Sequence, residues 1–249
     1  MPEPTRPLYF AVCGKGGVGK TAISALLARV LLEQGVRPLL LVDGDPVGGL
    51  VSAVGERAPR TLGQVRAELI AMARGAEARE RIADQLDYLV QEALVEREGY
   101  ALLAMGHRRE RGCYCPVNTL LRDAIDLIST PYAAVLIDAE AGIEQINRQV
   151  TRRVDRVVAV TDGSARGAEA VRLIAELVGA DRVRVVVNRA DRAGELPAAV
   201  DLVGLIPEDP LVRGFDREGR PLWELPGDAP ALVAVQRIAA GLSSERREA

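Results

Sequence analysis

The feature that most constrains the fold of this chain is a glycine-rich segment near its beginning. This segment fits the phosphate-binding pattern G-x-x-x-x-G-K-[ST] and reads Gly14-Lys15-Gly16-Gly17-Val18-Gly19-Lys20-Thr21. The apolar run Leu8–Cys13 comes directly before it, and a helical pattern from Gly19 to about Gln34 follows. A strand, a glycine-rich loop and a helix in this order favour an α/β fold in which the loop cradles phosphate groups.

The rest of the chain alternates apolar runs with helical patterns. Further strands are predicted at Pro38–Val42, Tyr100–Ala104, Ala133–Ile137, Val154–Val160, Val183–Val187 and Leu202–Ile206. Helices are predicted at Thr61–Arg74, Glu77–Glu98, Pro116–Ile128, Ser164–Val178 and Pro230–Leu242. Because the strands are apolar throughout instead of alternating, they suit a parallel sheet that is covered on both faces. The sequence therefore predicts a doubly wound α/β fold, with a mostly parallel sheet, as a single domain over residues 1–249.

Composition limits the partners that such a domain can have. The formal net charge is −3 and only 3% of the residues are aromatic, so the chain offers neither a basic field nor stacking platforms for nucleic acid. No apolar stretch reaches the roughly 18 residues that span a membrane. The low cysteine count and an N-terminus without an apolar leader are typical of a reducing compartment. We therefore expect a cytoplasmic protein that binds neither nucleic acid nor membrane.

Lysine usage points to the glycine-rich loop. The chain has 32 basic residues, and the only lysines among them are Lys15 and Lys20. A compact ammonium group fits among phosphate oxygens where a planar guanidinium does not. We expect Lys20 to reach the β- and γ-phosphates of a nucleotide and the Thr21 hydroxyl to ligate Mg²⁺. Lys15 is either a second catalytic lysine or a loop lysine that contacts only solvent.

The two lysines give this loop a known form. Gly-Lys-Gly-Gly-Val-Gly-Lys-Thr resembles the deviant Walker A loop of the MinD/ParA/nitrogenase-iron-protein class. The resemblance implies an ATP-dependent homodimer in which Lys15 reaches the nucleotide of the partner subunit. The residues that it assigns to binding of ATP or ADP in this part of the chain are Gly14, Lys15, Gly16, Gly17, Val18, Gly19, Lys20, Thr21 and Ala22.

Three aspartates come at the ends of predicted strands, where ligands bind in doubly wound sheets. They are Asp43, Asp45 and Asp138, and the last ends an apolar run in the Walker B pattern. We expect Asp138 to hold a magnesium-bound water. The resemblance implies that Asp45 orients the attacking water and that Asp43 lies near the magnesium shell. The alternative for all three aspartates is an ordinary role in a turn at a strand end. Glu140 is either a switch carboxylate or a solvated charge.

The residues expected to bind the base of the nucleotide lie in the second half of the chain. Asn188 ends a predicted strand, and its amide can both donate to and accept from an adenine edge. The resemblance places an adenine-reading asparagine here and matches Pro207, Glu208 and Asp209 to the loop that closes on the base. The chain has no Asn/Thr-Lys-x-Asp guanine signature, which favours ATP over GTP.

Two cysteines one residue apart, Cys113 and Cys115, form a candidate metal site. They supply only half of a tetrahedral shell, so a two-fold dimer would be needed to bring four thiolates together. Such a set suits Zn²⁺, Ni²⁺ or an iron–sulfur cluster, and two buried cysteines or a redox pair are the alternatives. Cys13, inside the first strand, is interpreted as a core residue. His107, the only histidine, is either an extra ligand or a solvated loop residue.

The segment around these cysteines resembles the CooC family. The resemblance is carried by Met105-Gly106, by Gly112-Cys113-Tyr114-Cys115, and by Asp138-Ala139-Glu140-Ala141-Gly142-Ile143-Glu144. CooC proteins are ATPases that mature nickel carbon monoxide dehydrogenase, and a sister group serves acetyl-CoA synthase. The resemblance implies that Cys113 and Cys115 of two subunits share one Ni²⁺ or Zn²⁺ and that the client is a nickel enzyme. The chain departs from the family pattern at His107 and Gln145.

Two other functions remain open. One is an ATP-driven iron–sulfur electron-transfer protein that resembles the nitrogenase iron protein, although the widely spaced cysteines of that family are missing here. The other is a ParA- or MinD-like positioning ATPase. The negative net charge opposes DNA binding, and residues 229–249 lack a basic amphipathic membrane anchor.

Overall fold

The protein is seen in a computed structural model that describes residues 6–72, 78–106, 123–139 and 154–244. The strands of this part of the chain are β1 (Leu8–Gly14), β2 (Leu39–Asp43), β3 (Leu94–Arg97), β4 (Tyr100–Ala104), β5 (Ala134–Asp138), β6 (Arg156–Thr161), β7 (Val183–Asn188) and β8 (Asp201–Ile206). They form an 8-stranded sheet in the order β3-β4-β2-β5-β1-β6-β7-β8. Neighbouring strands are parallel throughout, except for the antiparallel pair β3–β4 at one edge.

Helices cover both faces of this sheet. They are α1 (Lys20–Glu33), α2 (Gly49–Ala53), α3 (Leu62–Met72), α4 (Ala78–Ala93), α5 (Ala165–Val178), α6 (Pro210–Glu218) and α7 (Pro230–Ser244), with short 3₁₀ turns at Ala180–Arg182 and Leu222–Glu224. Residues 123–128 are also helical. Apolar residues of α1, α2 and α7 form one buried cluster with the sheet, and those of α3, α4 and α5 form a second. The predicted doubly wound α/β fold is therefore confirmed.

The central strands are buried on both sides, as the uninterrupted apolar runs predicted. Every residue of β2 and β5 is buried, and along β1 the side chains alternate between the two clusters. Val12 belongs to the cluster under α1, whereas the next residue, Cys13, belongs to the cluster under α3 and α4. Since successive residues of a strand face opposite sides, both faces must be apolar when helices cover both.

One predicted element is wrong at its end. The helix predicted over Glu77–Glu98 stops at Ala93, and Leu94–Arg97 forms β3, which pairs antiparallel with β4. The turn between the strands contains Gly99 at a φ of 85°, a left-handed conformation that glycine adopts without strain. The hairpin buries Val95 against the core. Apolar residues continue across the junction, so periodicity alone could not separate the helix from the strand. The short helices α2 and α6 were also not predicted.

The parallel arrangement brings the ends of several strands to one edge of the sheet. Gly14, Asp43, Asp138, Thr161 and Asn188 are the last residues of β1, β2, β5, β6 and β7. In the sheet register Asp43 lies beside Asp138, and Asp138 lies beside Val12 of β1. Polar side chains from distant parts of the sequence therefore converge around the glycine-rich loop. Among the residues described above, no helix has the length and apolar character required to cross a membrane.

Candidate nucleotide-binding site

The glycine-rich loop leads from β1 directly into α1. Gly19 precedes the helix at a φ of 90°, and the helix start carries no side-chain cap from the described residues. A β-carbon on Gly14 would lie 2.2 Å from the carbonyl oxygen of Val160, and one on Gly19 would lie 2.5 Å from Nδ2 of Asn188. Both positions therefore require glycine. The first amides of α1 have no partner within the helix, and together with the helix dipole they make this turn suited to binding an anion.

The two lysines of the loop have different surroundings. Lys20 is 8% exposed and its Nζ atom donates to the carbonyl oxygen of Lys15 at 3.2 Å, so its ammonium group folds back over its own loop. The side chain of Lys15 is 36% exposed and its Nζ atom lies 2.9 Å from Oδ2 of Asp162. The Ser164 hydroxyl and the Lys15 ammonium both donate to Asp162 and hold the pKa of this carboxyl well below its usual range.

Asp138 is held at the start of α1 by two hydroxyl groups. It is 2% exposed, and its Oδ2 and Oδ1 atoms accept hydrogen bonds from Oγ1 of Thr21 at 2.7 Å and from Oγ of Ser24 at 2.9 Å. Burial raises the pKa of Asp138, against the opposing effects of the two hydroxyl groups and the charge of Lys20. Thr21 and Asp138, both assigned to magnesium from the sequence, therefore lie together. Oxygen donors of this kind are what Mg²⁺ prefers.

Ser24 was missed in the sequence. It follows Thr21 by three residues on α1, and residues three apart lie on the same face of a helix. That spacing was the available signal, but the identity of its partner depends on the position of β5 in the sheet.

Asp43 and Asp45 lie on the loop that connects β2 to α2. Asp43 is fully buried, and its two carboxylate oxygens accept hydrogen bonds from the backbone amides of Asp45 at 2.9 Å and of Val51 at 2.8 Å. Burial raises the pKa of Asp43 to about 6. Oδ1 of Asp45 accepts from the amide of Val47 at 2.8 Å. The other carboxylate oxygen of Asp45, Oδ2, lies near the Thr21 hydroxyl. A β-carbon on Gly49 would touch both groups, at 3.1 Å from Oδ2 of Asp45 and 3.6 Å from the Thr21 hydroxyl.

The residues assigned to the base lie beside the end of the glycine-rich loop that leads into α1. Nδ2 of Asn188 donates to the carbonyl oxygen of Val18 at 2.7 Å, so Asn188 is tied to the glycine-rich loop. A small cavity of about 30 Å³ beside it is lined by residues that include Ala22, Asn188, Pro207, Glu208 and Asp209. The structure therefore brings the predicted base-binding residues together. A neighbouring cavity of about 360 Å³ is lined by Gly19, Thr21 and Ala22 at the start of α1.

Asp209 and Glu208 of the 207–209 loop differ in their contacts. The carboxylate of Asp209 accepts from the amides of Leu211 at 2.9 Å and Ala231 at 3.0 Å, so it connects the starts of α6 and α7. Glu208 is exposed and lies 3.3 Å from the guanidinium of Arg213 and 4.0 Å from that of Arg189.

Arg189 is a residue of this region that sequence reasoning missed. It follows Asn188 in the left-handed conformation, at a φ of 59°, and its Nη1 atom donates to the carbonyl oxygen of Gly17 at 3.3 Å. It lines both cavities. A left-handed arginine after a strand leaves no sequence signal, since its backbone conformation is set by the tertiary structure.

The predicted metal site falls on residues outside the described ranges. The site consists of Cys113 and Cys115; His107, the possible extra ligand, and Glu140, the possible switch carboxylate, also lie outside these ranges. Cys13 is fully buried in β1, and burial raises the pKa of its thiol to about 12, as the interpretation as a core residue requires. Within the ranges that the structure covers, no group of three or more His, Cys, Asp or Glu side chains is arranged to hold a metal ion.

Comparison with known proteins places this site in context. The family model described as the CobQ/CobB/MinD/ParA nucleotide binding domain matches residues 9–222. An uncharacterized ATP-binding protein of Methanocaldococcus jannaschii is 36% identical, with 93% of this chain and 97% of that protein covered. The carbon monoxide dehydrogenase accessory protein CooC of Rhodospirillum rubrum is 32% identical, with 88% of this chain and 90% of that protein covered.

The fold has close structural counterparts. The septum site-determining protein MinD of Pyrococcus horikoshii OT3, solved in complex with Mg-ADP, superposes with a TM-score of 0.66 over 97% of this chain and 98% of that one, at 20% identity. This likeness concerns the fold, whereas the family model covers both the glycine-rich loop and the strand ends around it. The chain belongs to the CobQ/CobB/MinD/ParA family of nucleotide-binding domains.

Proposed function

We propose that this chain is a dimeric ATPase that hydrolyses ATP to ADP and phosphate and uses the cycle to bind and deliver nickel. The client would be carbon monoxide dehydrogenase or acetyl-CoA synthase during its maturation. Support for the client comes from the identity to the CooC protein over most of both chains and from the Cys113-Tyr114-Cys115 segment. The proposal for ATP hydrolysis is supported by the geometry around the glycine-rich loop.

The observation that carries the proposal is the difference in burial and in hydrogen-bond partners between Lys20 and Lys15. Lys20 is nearly buried and bonds to its own loop, where it can neutralise phosphates of a nucleotide bound to the same chain. Lys15 lies on the outer side of the loop with its ammonium group on Asp162, and its side chain is partly exposed. An exposed lysine at the rim of a phosphate site can reach the nucleotide of a second subunit, where its charge would stabilise the transferred phosphoryl group. This arrangement favours a dimeric ATPase.

The other residues of the site fit defined parts of this reaction. Thr21 and Asp138 would hold Mg²⁺, which neutralises charge on the β- and γ-phosphates when bound. Asp45, whose carboxylate faces the Thr21 side of Gly49, would orient the attacking water. Asn188 has its amide nitrogen bonded to Val18, which leaves its oxygen to accept from the amino group of adenine.

A backbone connection supports coupling between the nucleotide and the cysteines. The amide of Met105 donates to the carbonyl oxygen of Asp43 at 2.9 Å, and the carbonyl oxygen of Met105 accepts from the amide of Gly63 at 2.8 Å. The chain that carries Cys113 and Cys115 continues from Gly106, the next residue. A displacement of the Asp43–Asp45 loop as one unit, with its internal hydrogen bonds kept, would therefore act on the start of the cysteine segment. Two sites biased by one such movement are coupled in their affinities.

The metal assignment can be tested on anaerobically purified protein. Two cysteines per subunit complete a four-thiolate shell only in a dimer, so we expect one Ni²⁺ or Zn²⁺ per dimer. The measurements are metal content by elemental analysis and native mass in the presence of ATP or ADP. Cys113→Ser and Cys115→Ser should each abolish tight binding, because one thiolate per subunit is lost. Cys13→Ser is the matched control and should keep the metal, since Cys13 lies buried in β1.

Two outcomes would contradict the proposal at different levels. Tight binding of one metal per subunit in a strict monomer would exclude the shared site. Persistence of the metal in a Cys113/Cys115 double variant would exclude these cysteines as ligands. A brown protein with absorbance near 400 nm would favour the iron–sulfur alternative instead. The ATPase activity of the cysteine variants should largely remain, because the phosphate site is built from other loops.

A further inference from the structure

Asp43 is a buried carboxylate whose two oxygen atoms bind both ends of the loop that carries Asp45. We propose that Asp43 is a positioning residue that fixes Asp45 for hydrolysis and that it does not ligate Mg²⁺. The inference rests on the proposed ATPase function, and it replaces the expectation that Asp43 acts near the magnesium shell. Asp43 acts on the reaction through the backbone of its own loop.

The hydrogen bonds of the carboxylate close this loop into a ring. Oδ1 accepts from the amide of Asp45 at 2.9 Å, and Oδ2 accepts from the amide of Val51 at 2.8 Å. One bond fixes the residue that is to orient water, and the other fixes the first turn of α2. Hydrogen bonds from backbone amides to an ionised carboxylate are among the stronger ones in proteins, and here water does not compete for them because Asp43 is fully buried.

The main chain around Asp43 is fixed as well. The amide of Gly44 donates to the carbonyl oxygen of Asp138 at 2.9 Å, and that of Met105 donates to the carbonyl oxygen of Asp43 at 2.9 Å. A β-carbon on Gly44 would lie 2.5 Å from the carbonyl oxygen of Asp138, so the loop leaves β2 in direct contact with β5. Asp43 is thus attached to both neighbouring strands, and a carboxylate fixed in this way can serve as a rigid anchor.

The ring determines where Asp45 points. The carbonyl oxygen of Asp45 accepts from the amide of Gly48 at 3.1 Å, and its Oδ1 atom accepts from the amide of Val47 at 2.8 Å. These bonds form a tight turn from Asp45 to Gly48, and the other carboxylate oxygen of Asp45, Oδ2, lies with the Thr21 hydroxyl beside Gly49. If Asp43 no longer accepted from the amide of Asp45, this turn would lose its attachment to the sheet. A displacement of about 1 Å at such a residue can cost about 100-fold in rate.

The same contacts argue against a role in holding Mg²⁺. Asp43 and Asp138 each accept one hydrogen bond on each carboxylate oxygen, so the two residues differ in the identity of their partners and not in their number. Both oxygens of Asp43 face backbone amides of its own loop. Asp138, by contrast, faces the Thr21 hydroxyl, which is the hydroxyl expected at the ion. The two neighbouring aspartates therefore have different tasks.

The test is Asp43→Asn, measured as steady-state ATPase activity over a range of ATP and Mg²⁺ concentrations. Asparagine keeps one acceptor but presents an NH₂ group to the other amide, so one of the two bonds is lost. We expect kcat to fall at least about tenfold, with KM and the Mg²⁺ concentration for half-maximal rate within about twofold of the wild type. Asp138→Asn is the comparison variant, and it should raise the Mg²⁺ requirement.

A second variant and a second measurement keep the test independent of folding defects in Asp43→Asn. Val51→Pro removes one donor while leaving Asp43 in place, and it should lower kcat in the same way. In the wild type, the amides of Asp45 and Val51 should exchange slowly with solvent both without ligand and with Mg·ADP. If protection of both amides disappears when Mg·ADP binds, or if Asp43→Asn raises the Mg²⁺ requirement as Asp138→Asn does, the inference is overturned. Absence of ATPase activity in the wild type would instead remove the proposed function on which it rests.

Discussion

The ammonium group of Lys15 forms an ion pair with Asp162, its Nζ atom lying 2.9 Å from Oδ2. The lysine that is proposed to act on the nucleotide of a partner subunit is thus held by its own chain. Asp162 follows β6 and precedes α5, so this contact joins the glycine-rich loop to the next strand of the sheet. Both side chains are more than a third exposed, and ion pairs of this kind contribute about 0.2–1 kcal/mol. The pair is weak enough to open when a partner subunit binds.

Removing this ion pair should favour the dimer. In Asp162→Asn, Lys15 no longer has to leave a carboxylate before it can reach a partner subunit. We expect the dissociation constant of the dimer, formed with a non-hydrolysable ATP analogue, to fall by up to about fivefold for each released lysine. Sedimentation velocity measures this constant. Glu169→Gln is the matched control, because Glu169 pairs with Arg172 on the exposed face of α5 and should leave dimerisation unchanged. A weaker dimer in Asp162→Asn would contradict the assignment.

The pKa of Asp162 reports whether the pair forms in solution. The Ser164 hydroxyl and the Lys15 ammonium both lower this pKa from its ordinary value of 3.8. A lowered pKa means that the folded chain binds the proton less tightly than the unfolded chain does. The ionised group therefore stabilises the fold above pH 3.8 and loses this contribution as the pH falls further. In Lys15→Met one donor is gone, so we expect the pKa of Asp162 to rise. A carboxyl-detected NMR titration of both proteins checks this, and an unchanged pKa would show that the pair is not formed.

The buried contact between Ser24 and Asp138 should contribute to stability. Ser24→Ala removes the hydroxyl that donates to Oδ1 of Asp138, and a buried carboxylate oxygen then lacks that partner. The expected loss is about 1–3 kcal/mol of unfolding free energy. Ser52→Ala is the control, because Ser52 is exposed on α2 and its loss should change stability by less than about 0.5 kcal/mol. Urea denaturation without nucleotide measures both. Equal effects for the two variants would mean that the contact with Asp138 adds nothing.

How much of the structure the sequence could predict depends on how far apart the interacting residues are along the chain. The glycine-rich loop, the strands on either side of the sheet centre and the aspartates at their ends depend on local patterns, and they lie where they were expected. The contact of Ser24 with Asp138 joins residues 114 positions apart, and that of Lys15 with Asp162 joins residues 147 positions apart. Such pairs depend on which strands become neighbours, and no local pattern specifies them. The strand at Leu94–Arg97 was missed because its pairing with β4, and not its own sequence, stabilises it.

Two glycines of the loop should respond very differently to the same substitution. In Gly19→Ala the β-carbon would lie 2.5 Å from Nδ2 of Asn188, at a backbone φ of 90°, so both the asparagine and the backbone must shift. We expect a loss of about 1–3 kcal/mol of unfolding free energy without nucleotide. In Gly16→Ala the β-carbon would meet no described atom within 4 Å, and we expect a loss below about 1 kcal/mol. Thermal unfolding of the nucleotide-free proteins compares the two. A Gly16→Ala loss as large as that of Gly19→Ala would contradict the geometry described for the loop.

Because the chain contains only two lysines, amine-specific chemistry can follow the site without mutation. Lys20 is 8% exposed, whereas the side chain of Lys15 is 36% exposed. Brief acetylation of the nucleotide-free protein should therefore modify Lys15 well before Lys20, as measured by mass spectrometry of the peptides. Mg·ADP should protect Lys20 further, since the phosphates would cover its ammonium group, and should leave Lys15 reactive. In Asp45→Ala with Mg·ATP, where the water is no longer oriented and the dimer should persist, Lys15 should become protected as well. The N-terminal amine serves as the internal standard for reagent strength. If Lys15 keeps its full reactivity in a preparation that sedimentation shows to be dimeric, the lysine does not enter the partner subunit, and Lys20 alone must serve each nucleotide.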